Sequence, residues 1–245
     1  MYHSKSWKKE QSLCKTLNIF KHMPNFLTAL NLLMGVLGII NIFEGNYQHT
    51  IYFIMAAGIF DFLDGFTAKL LHVTSSFGKE LDSLADMVTF GILPTLFLFK
   101  WTSIIHDNSY WLAYSTTIIP VFAAFRLAKF NLNPTQSDGF IGLPTPAAAL
   151  LSVTIVETSF LVSWIYFIPI YSLIVSLLMI APIKMLSFKF KSMILSGNEL
   201  RYITLFVMLI GLTLFQLNFL PYIIPIYIIL SLLANLPAML KIFSK

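Results

Sequence analysis

Uninterrupted apolar runs dominate the 245-residue sequence, and eight of them approach the length of a membrane span. A helix needs about 20 mostly apolar residues to cross a hydrocarbon layer roughly 30 Å thick, and it satisfies its own backbone polar groups on the way. Bounded by charge, Pro, Gly or Asn, the runs extend from Leu27 to Phe43, Thr50 to Leu70, Leu81 to Phe99, Trp111 to Phe130, Thr145 to Ser163, Ile165 to Pro182, Tyr202 to Leu217 and Leu220 to Leu240. The fifth and sixth are separated only by a tight turn near Trp164. Composition agrees: 57% of residues are hydrophobic and 11% charged, with a mean hydropathy of +0.79, whereas a soluble domain carries about a quarter charged residues. Disorder, collagen-like repeats and a disulfide scaffold are excluded, since the chain has 11 Gly, 11 Pro and one cysteine, Cys14. The expected fold is an all-α integral membrane protein, a polytopic bundle of about eight transmembrane helices.

Orientation follows from the cations. With both termini cytoplasmic, fifteen of the sixteen Lys and Arg residues fall on the cytoplasmic side and only Lys100 falls outside, the asymmetry that sets topology. Trp101, Trp111 and Trp164 fall at the opposite face, where an aromatic belt belongs. The net charge of +5 therefore records topology and favours anionic membrane lipids; it gives no reason to invoke nucleic acid. Residues 1–22 form a basic N-terminal segment that lacks a signal-peptide cleavage site, so none is expected. Leu13, Leu17 and Phe20 would share one side of a surface helix there.

Four of the eleven acidic residues are packed close together: Asp61, Asp64, Asp82 and Asp86. Carboxylates in apolar helices are costly and mark function. Asp61 and Asp64 are three apart near the cytoplasmic end of the second run, and Asp82 and Asp86 are four apart at the start of the third, so each pair shares a helix face. Two antiparallel helices can aim all four at one another. Such like charges repel, and some would protonate unless cations are present; oxygen-only ligation, with His72 the sole nearby histidine, favours Mg2+ or Mn2+ over Zn2+. Gly65, Ala68 and Gly78 keep the same neighbourhood small.

In order, Asp61-x2-Asp64-Gly65-x2-Ala68-Lys69-x8-Gly78-x3-Asp82-x3-Asp86 resembles the signature of the CDP-alcohol phosphatidyltransferases, D-x2-D-G-x2-A-R-x8-G-x3-D-x3-D. One fixed position departs: Lys69 stands where that family has Arg, keeping the charge and losing the bidentate fork. The stretch Ser76-Phe77-Gly78-Lys79-Glu80-Leu81-Asp82-Ser83-Leu84-Ala85-Asp86 is similar to the bacterial-type phosphatidylserine synthases within that family. So are Pro24-Asn25, Arg126-Leu127-Ala128-Lys129-Phe130-Asn131 and Gly142-Leu143-Pro144-x-Pro146-Ala147-Ala148.

The resemblance implies transfer of the phosphatidyl group of CDP-diacylglycerol to the hydroxyl of L-serine, releasing CMP, with two Mg2+ or Mn2+ ions. It implies that Asp61 and Asp82 bridge both ions, that Asp64 and Asp86 complete one each, and that Asp86 is the general base. Gly65, Ala68, Lys69, Ser75 and Gly78 would contact or accommodate CDP-diacylglycerol, together with Asn25 and Thr28. Arg126 either anchors the helix at the membrane surface or holds the serine carboxylate or a lipid phosphate. The layout expected is residues 1–22 as the basic segment, 23–183 as a six-span core and 184–245 as a loop with two further spans. A homodimer in a bacterial inner membrane, with the site facing the cytoplasm, is implied as well. The alternatives are another acceptor, of glycerol 3-phosphate or inositol type, and a cation transporter. A transporter would show internal repeats and a midplane site.

Overall fold

The computed structural model of the protein describes residues 21–73, 75–106, 110–132, 141–158, 164–186 and 198–243. The surface helix expected over residues 1–22 lies almost wholly outside the described residues, as do Lys189 and Lys191. Among the described residues the backbone is helical, apart from turns and one antiparallel bridge between Ile141 and Lys184. In chain order the helices are α1 (Met23–Phe43), α2 (Thr50–Leu70), α3 (Ser76–Ile105), α4 (Tyr110–Leu132), α5 (Thr145–Glu157), α6 (Phe167–Ile180), α7 (Glu199–Phe215) and α8 (Leu220–Phe243). By length and composition α1 to α4 can each cross a membrane, while α5, α6 and the Leu220–Asn235 part of α8 are shorter apolar helices. The fold is thus all-helical, with four helices of membrane-spanning length among the described residues.

Local chemistry sets the boundaries. Pro24 in the first turn of α1 has its φ preset for a helix and gives up an N–H that would lack a partner there. The same helix ends in a Schellman turn: Asn46 N–H donates to the Asn41 carbonyl and Gly45 N–H to that of Ile42, with Gly45 at φ +87°. At the end of α2 the same pair of bonds recurs, from Val73 to Ala68 and from His72 to Lys69, with His72 at φ +53°. His72 therefore closes a helix. Ser75 caps α3, its hydroxyl accepting from Gly78 N–H at 2.9 Å. These two abutting caps make the α2–α3 connection short, so the helices run antiparallel as neighbours.

A π-helical stretch, Met87–Ile92, interrupts α3 directly after Asp86, an irregularity frequent at functional sites. Here α1 crosses closely, because Gly35 faces it. A Cβ on Gly35 would stand 2.6 Å from Thr89 Oγ1 and 3.1 Å from Thr89 Cα, the small-residue packing that membrane helices use in place of a hydrophobic drive. Phe90, Leu93 and Leu98 of α3, Leu112 and Ile119 of α4, and Ile168 and Met179 of α6 form the fully buried centre. Helix α5 starts at Thr145 behind Pro144 and ends at Glu157, short of the expected Ser163; residues 159–163 are not described.

Candidate active site

The antiparallel α2–α3 hairpin brings the acidic pairs together. One carboxylate oxygen each from Asp61, Asp64 and Asp82 lies within 4.8 Å of the other two. At that separation two unit charges repel by about 3 kcal/mol even at an effective dielectric near 20. Thr28 of α1 reaches across and donates to Asp64 Oδ2 at 2.6 Å. Asp82 Oδ1 is buried and has no hydrogen-bond partner among the described residues. Three carboxylates converging on one point, one of them with a buried and unpartnered oxygen, fit a divalent cation such as Mg2+ or Mn2+.

Asp86 stands apart from this trio. Only 8% exposed, it accepts from Asn31 Nδ2 at 3.2 Å, and it lies within electrostatic range of Asp61, Asp82 and Arg126. Asn31, fully buried on α1, has no counterpart among the expected site residues. Its signal in the sequence was an amide in an apolar run, three residues beyond Thr28 and hence on the same face.

Above the carboxylates opens a cleft of about 450 Å³ between α1, the end of α2 and the start of α3. Asn25, Thr28, Gly65, Ala68, Ser75 and Gly78 all line it, and Lys21 and Lys79 add two cations. Two glycines shape it differently. Gly65 faces open space, with no heavy atom within 4 Å of an added Cβ, whereas a Cβ on Gly78 would come within 2.9 Å of Asn25 Oδ1 and 3.0 Å of Ser75 Oγ. Lys69 is exposed and does not line the cleft, because one residue beyond Ala68 the helix has already turned by about 100°.

Arg126 is 9% exposed and so is no snorkelling anchor. Its guanidinium donates to Thr145 Oγ1 at 3.0 Å, Nε has no partner among the described residues, and Asp86 and Asp61 are within electrostatic range. A small hollow of about 10 Å³, room for a single water, lies beside it between Lys129, Phe130, Ile141, Met179 and Ile180. Farther along α4, Asn131 accepts from Lys79 Nζ through its carbonyl and donates to Ser83 Oγ at 2.8 Å, tying that helix to the acidic face of α3. Glu157 is exposed at the end of α5 and is not a member of the acidic cluster.

A cluster of acids beneath a cation-rimmed cleft suits a phosphorylated ligand, and the sequence comparisons agree. The model of the CDP-alcohol phosphatidyltransferases matches residues 21–182. The CDP-diacylglycerol–serine O-phosphatidyltransferase of Helicobacter pylori strain J99 is 39% identical over 134 residues, which cover 53% of this chain and 55% of that protein. The enzyme of the same name from Methanocaldococcus jannaschii is 34% identical over 164 residues, covering 66% of this chain and 72% of the relative. That of Mycobacterium leprae is 30% identical over 227 residues, 88% of this chain and 73% of the relative. The matches to the two Helicobacter relatives span about half of their length. Matched from α1 to the end of α6 and carrying the acidic signature on α2 and α3, the chain belongs to the CDP-alcohol phosphatidyltransferase family.

Proposed function

We propose that this protein transfers the phosphatidyl group of CDP-diacylglycerol to L-serine, giving phosphatidylserine and CMP. The observation that carries the proposal is the Asp61, Asp64 and Asp82 cluster, of which Asp64 and Asp82 line the cleft, in a chain whose relatives bear that enzyme's name. Two Mg2+ or Mn2+ ions held by Asp61, Asp64, Asp82 and Asp86 would neutralise the pyrophosphate and polarise the phosphorus under attack. The protein does the rest by placement. The Thr28 hydroxyl orients the Asp64 carboxylate. Asn25, Ser75 and the bare backbone faces of Gly65 and Gly78 receive the cytidine diphosphate, and Lys21 and Lys79 add positive charge along the cleft.

The Asn31 amide holds Oδ1 of Asp86 and leaves Oδ2 to take the proton from the acceptor hydroxyl. The serine oxygen then forms a bond to the phosphorus that carries the diacylglycerol, the bond from that phosphorus to the oxygen of CMP breaks, and CMP departs as the anion. The Arg126 guanidinium, within electrostatic range of Asp86 and Asp61, is assigned to the serine carboxylate as a charge-assisted contact. Lys69, outside the cleft lining, balances charge near the site without gripping phosphate.

In this proposal the chain crosses a bacterial inner membrane eight times, with both termini and the cleft on the cytoplasmic side, and works as a homodimer. Residues 1–22 are the basic cytoplasmic segment, 23–183 the catalytic core, and 184–245 a loop and two spans. The pattern of Lys and Arg supports this, and so do aromatic pairs at the helix ends remote from the cleft: Tyr47 with Trp101 at 5.9 Å and Trp111 with Tyr166 at 6.4 Å. The test is acceptor specificity. Purified protein with Mn2+ and CDP-diacylglycerol releases CMP when serine is added, and Asp86→Ala is folded and inactive. Turnover with glycerol 3-phosphate or inositol and none with serine refutes the substrate, and cation flux in substrate-free liposomes would point to a transporter instead.

A further inference from the structure

Beyond the family match, which ends at residue 182, α8 carries polar side chains at one face spaced four apart: Tyr227, Ser231 and Asn235. Ser231 is fully buried and Tyr227 is 6% exposed. All three engage the same short extended segment, residues 183–186. Tyr227 donates its phenolic hydrogen to the Leu186 carbonyl at 2.9 Å, the Leu186 N–H donates to Ser231 Oγ at 3.1 Å, and Asn235 Nδ2 donates to the Lys184 carbonyl. Met185 is buried and Leu186 half-buried, so the Leu186 backbone gains from such partners, since a buried unpaired N–H or carbonyl costs about 1–3 kcal/mol.

The other side of that segment holds the loop before α5. Lys184 pairs with Ile141 in the antiparallel bridge, and Gly142 N–H donates to the Ile183 carbonyl at 2.8 Å. Leu143 N–H donates to Leu178 at 2.9 Å. Gly142 is at φ +77°, and a Cβ there would lie 2.2 Å from the Met179 carbonyl oxygen, so the loop has one seat. Ile141 and Met179 wall the hollow beside Arg126, and Thr145, two residues beyond Leu143, accepts from the Arg126 guanidinium. The phenol of Tyr227 lies within electrostatic range of Arg126.

We propose that α8 is a positioning element for the acceptor side of the site: Tyr227, Ser231 and Asn235 fix residues 183–186, which seat the 141–145 loop against Arg126 and so set the affinity for the hydroxyl acceptor. The proposal rests on the assignment of Arg126 to the acceptor. The chain of contacts is continuous from α8 to the guanidinium and does not pass through the cleft or the acidic cluster. Loosening it therefore acts on one substrate.

The test uses the full chain in detergent, with Tyr227→Phe and Asn235→Ala compared against wild type. Each variant raises KM for the acceptor about five- to tenfold, the loss of roughly one hydrogen bond, and leaves kcat and KM for CDP-diacylglycerol within about twofold. In hydrogen exchange the Gly142 and Leu143 amides lose protection, whereas α2 and α3 are unchanged. A parallel loss for both substrates, or unaltered exchange at Gly142 and Leu143, overturns the proposal. If Asn235→Ala does not fold, Tyr227→Phe, which deletes one oxygen atom, decides it. Wild type is assayed with serine and glycerol 3-phosphate side by side, so a wrong acceptor shows in wild type, while the role of α8 is judged on KM for whichever acceptor is used and on exchange.

Discussion

Asp61, Asp64 and Asp82 are held together by the hairpin at a cost in repulsion that a bound cation offsets. Removing one charge has opposite effects with and without metal. In EDTA, Asp61→Asn relieves the repulsion and melts a few degrees higher than wild type; with millimolar Mn2+ the wild type gains stability and the variant does not. Thermal unfolding in detergent checks this, and a variant that melts lower than wild type in EDTA would refute the account. Much of this was legible from spacing, since residues three and four apart on a helix share a face. The place of Asp86 was not legible. Four identical side chains at matching intervals look equivalent in a sequence, and only the Asn31 amide across the interface separates one of them from the trio.

Between elements, the decisive feature is how closely α1 approaches α3. Gly78 permits that approach at the cleft, where a Cβ would meet Asn25 Oδ1 at 2.9 Å. Gly78→Ala pushes the two helices apart, costing about 1–3 kcal/mol as overpacking does, and raises KM for CDP-diacylglycerol more than it changes KM for the acceptor. Adding Asn25→Ala removes the obstructing amide and recovers stability, because two such neighbours are coupled. Steady-state kinetics with unfolding of the single and double variants tests the pair; additive effects would show that no such contact exists. Gly78 was legible as a place needing a small residue. Which atoms required it was not, because Asn25 is distant in sequence and meets it only once α1 is packed.

Over the whole molecule, the cleft opens among the ends of α1, α2 and α3, and the Tyr47–Trp101 and Trp111–Tyr166 pairs lie at the opposite ends. Cys14, the single cysteine, reports the side of the N-terminus. An impermeant maleimide labels it in inverted vesicles and not in right-side-out ones, whereas Gln48→Cys in a Cys14→Ser background shows the reverse; the opposite pattern would move the site to the outer face. Hydropathy determines which segments are apolar and helical, since this depends on each residue's transfer from water. Helical periodicity determines that the acidic pairs share a face. Tertiary structure alone decides that Lys69 leaves the cleft, that Arg126 is buried against Thr145, and that Tyr227, Ser231 and Asn235 clamp residues 183–186. Such contacts join residues far apart in the chain, and a polar side chain in an apolar run carries no mark of the partner it meets across a helix interface.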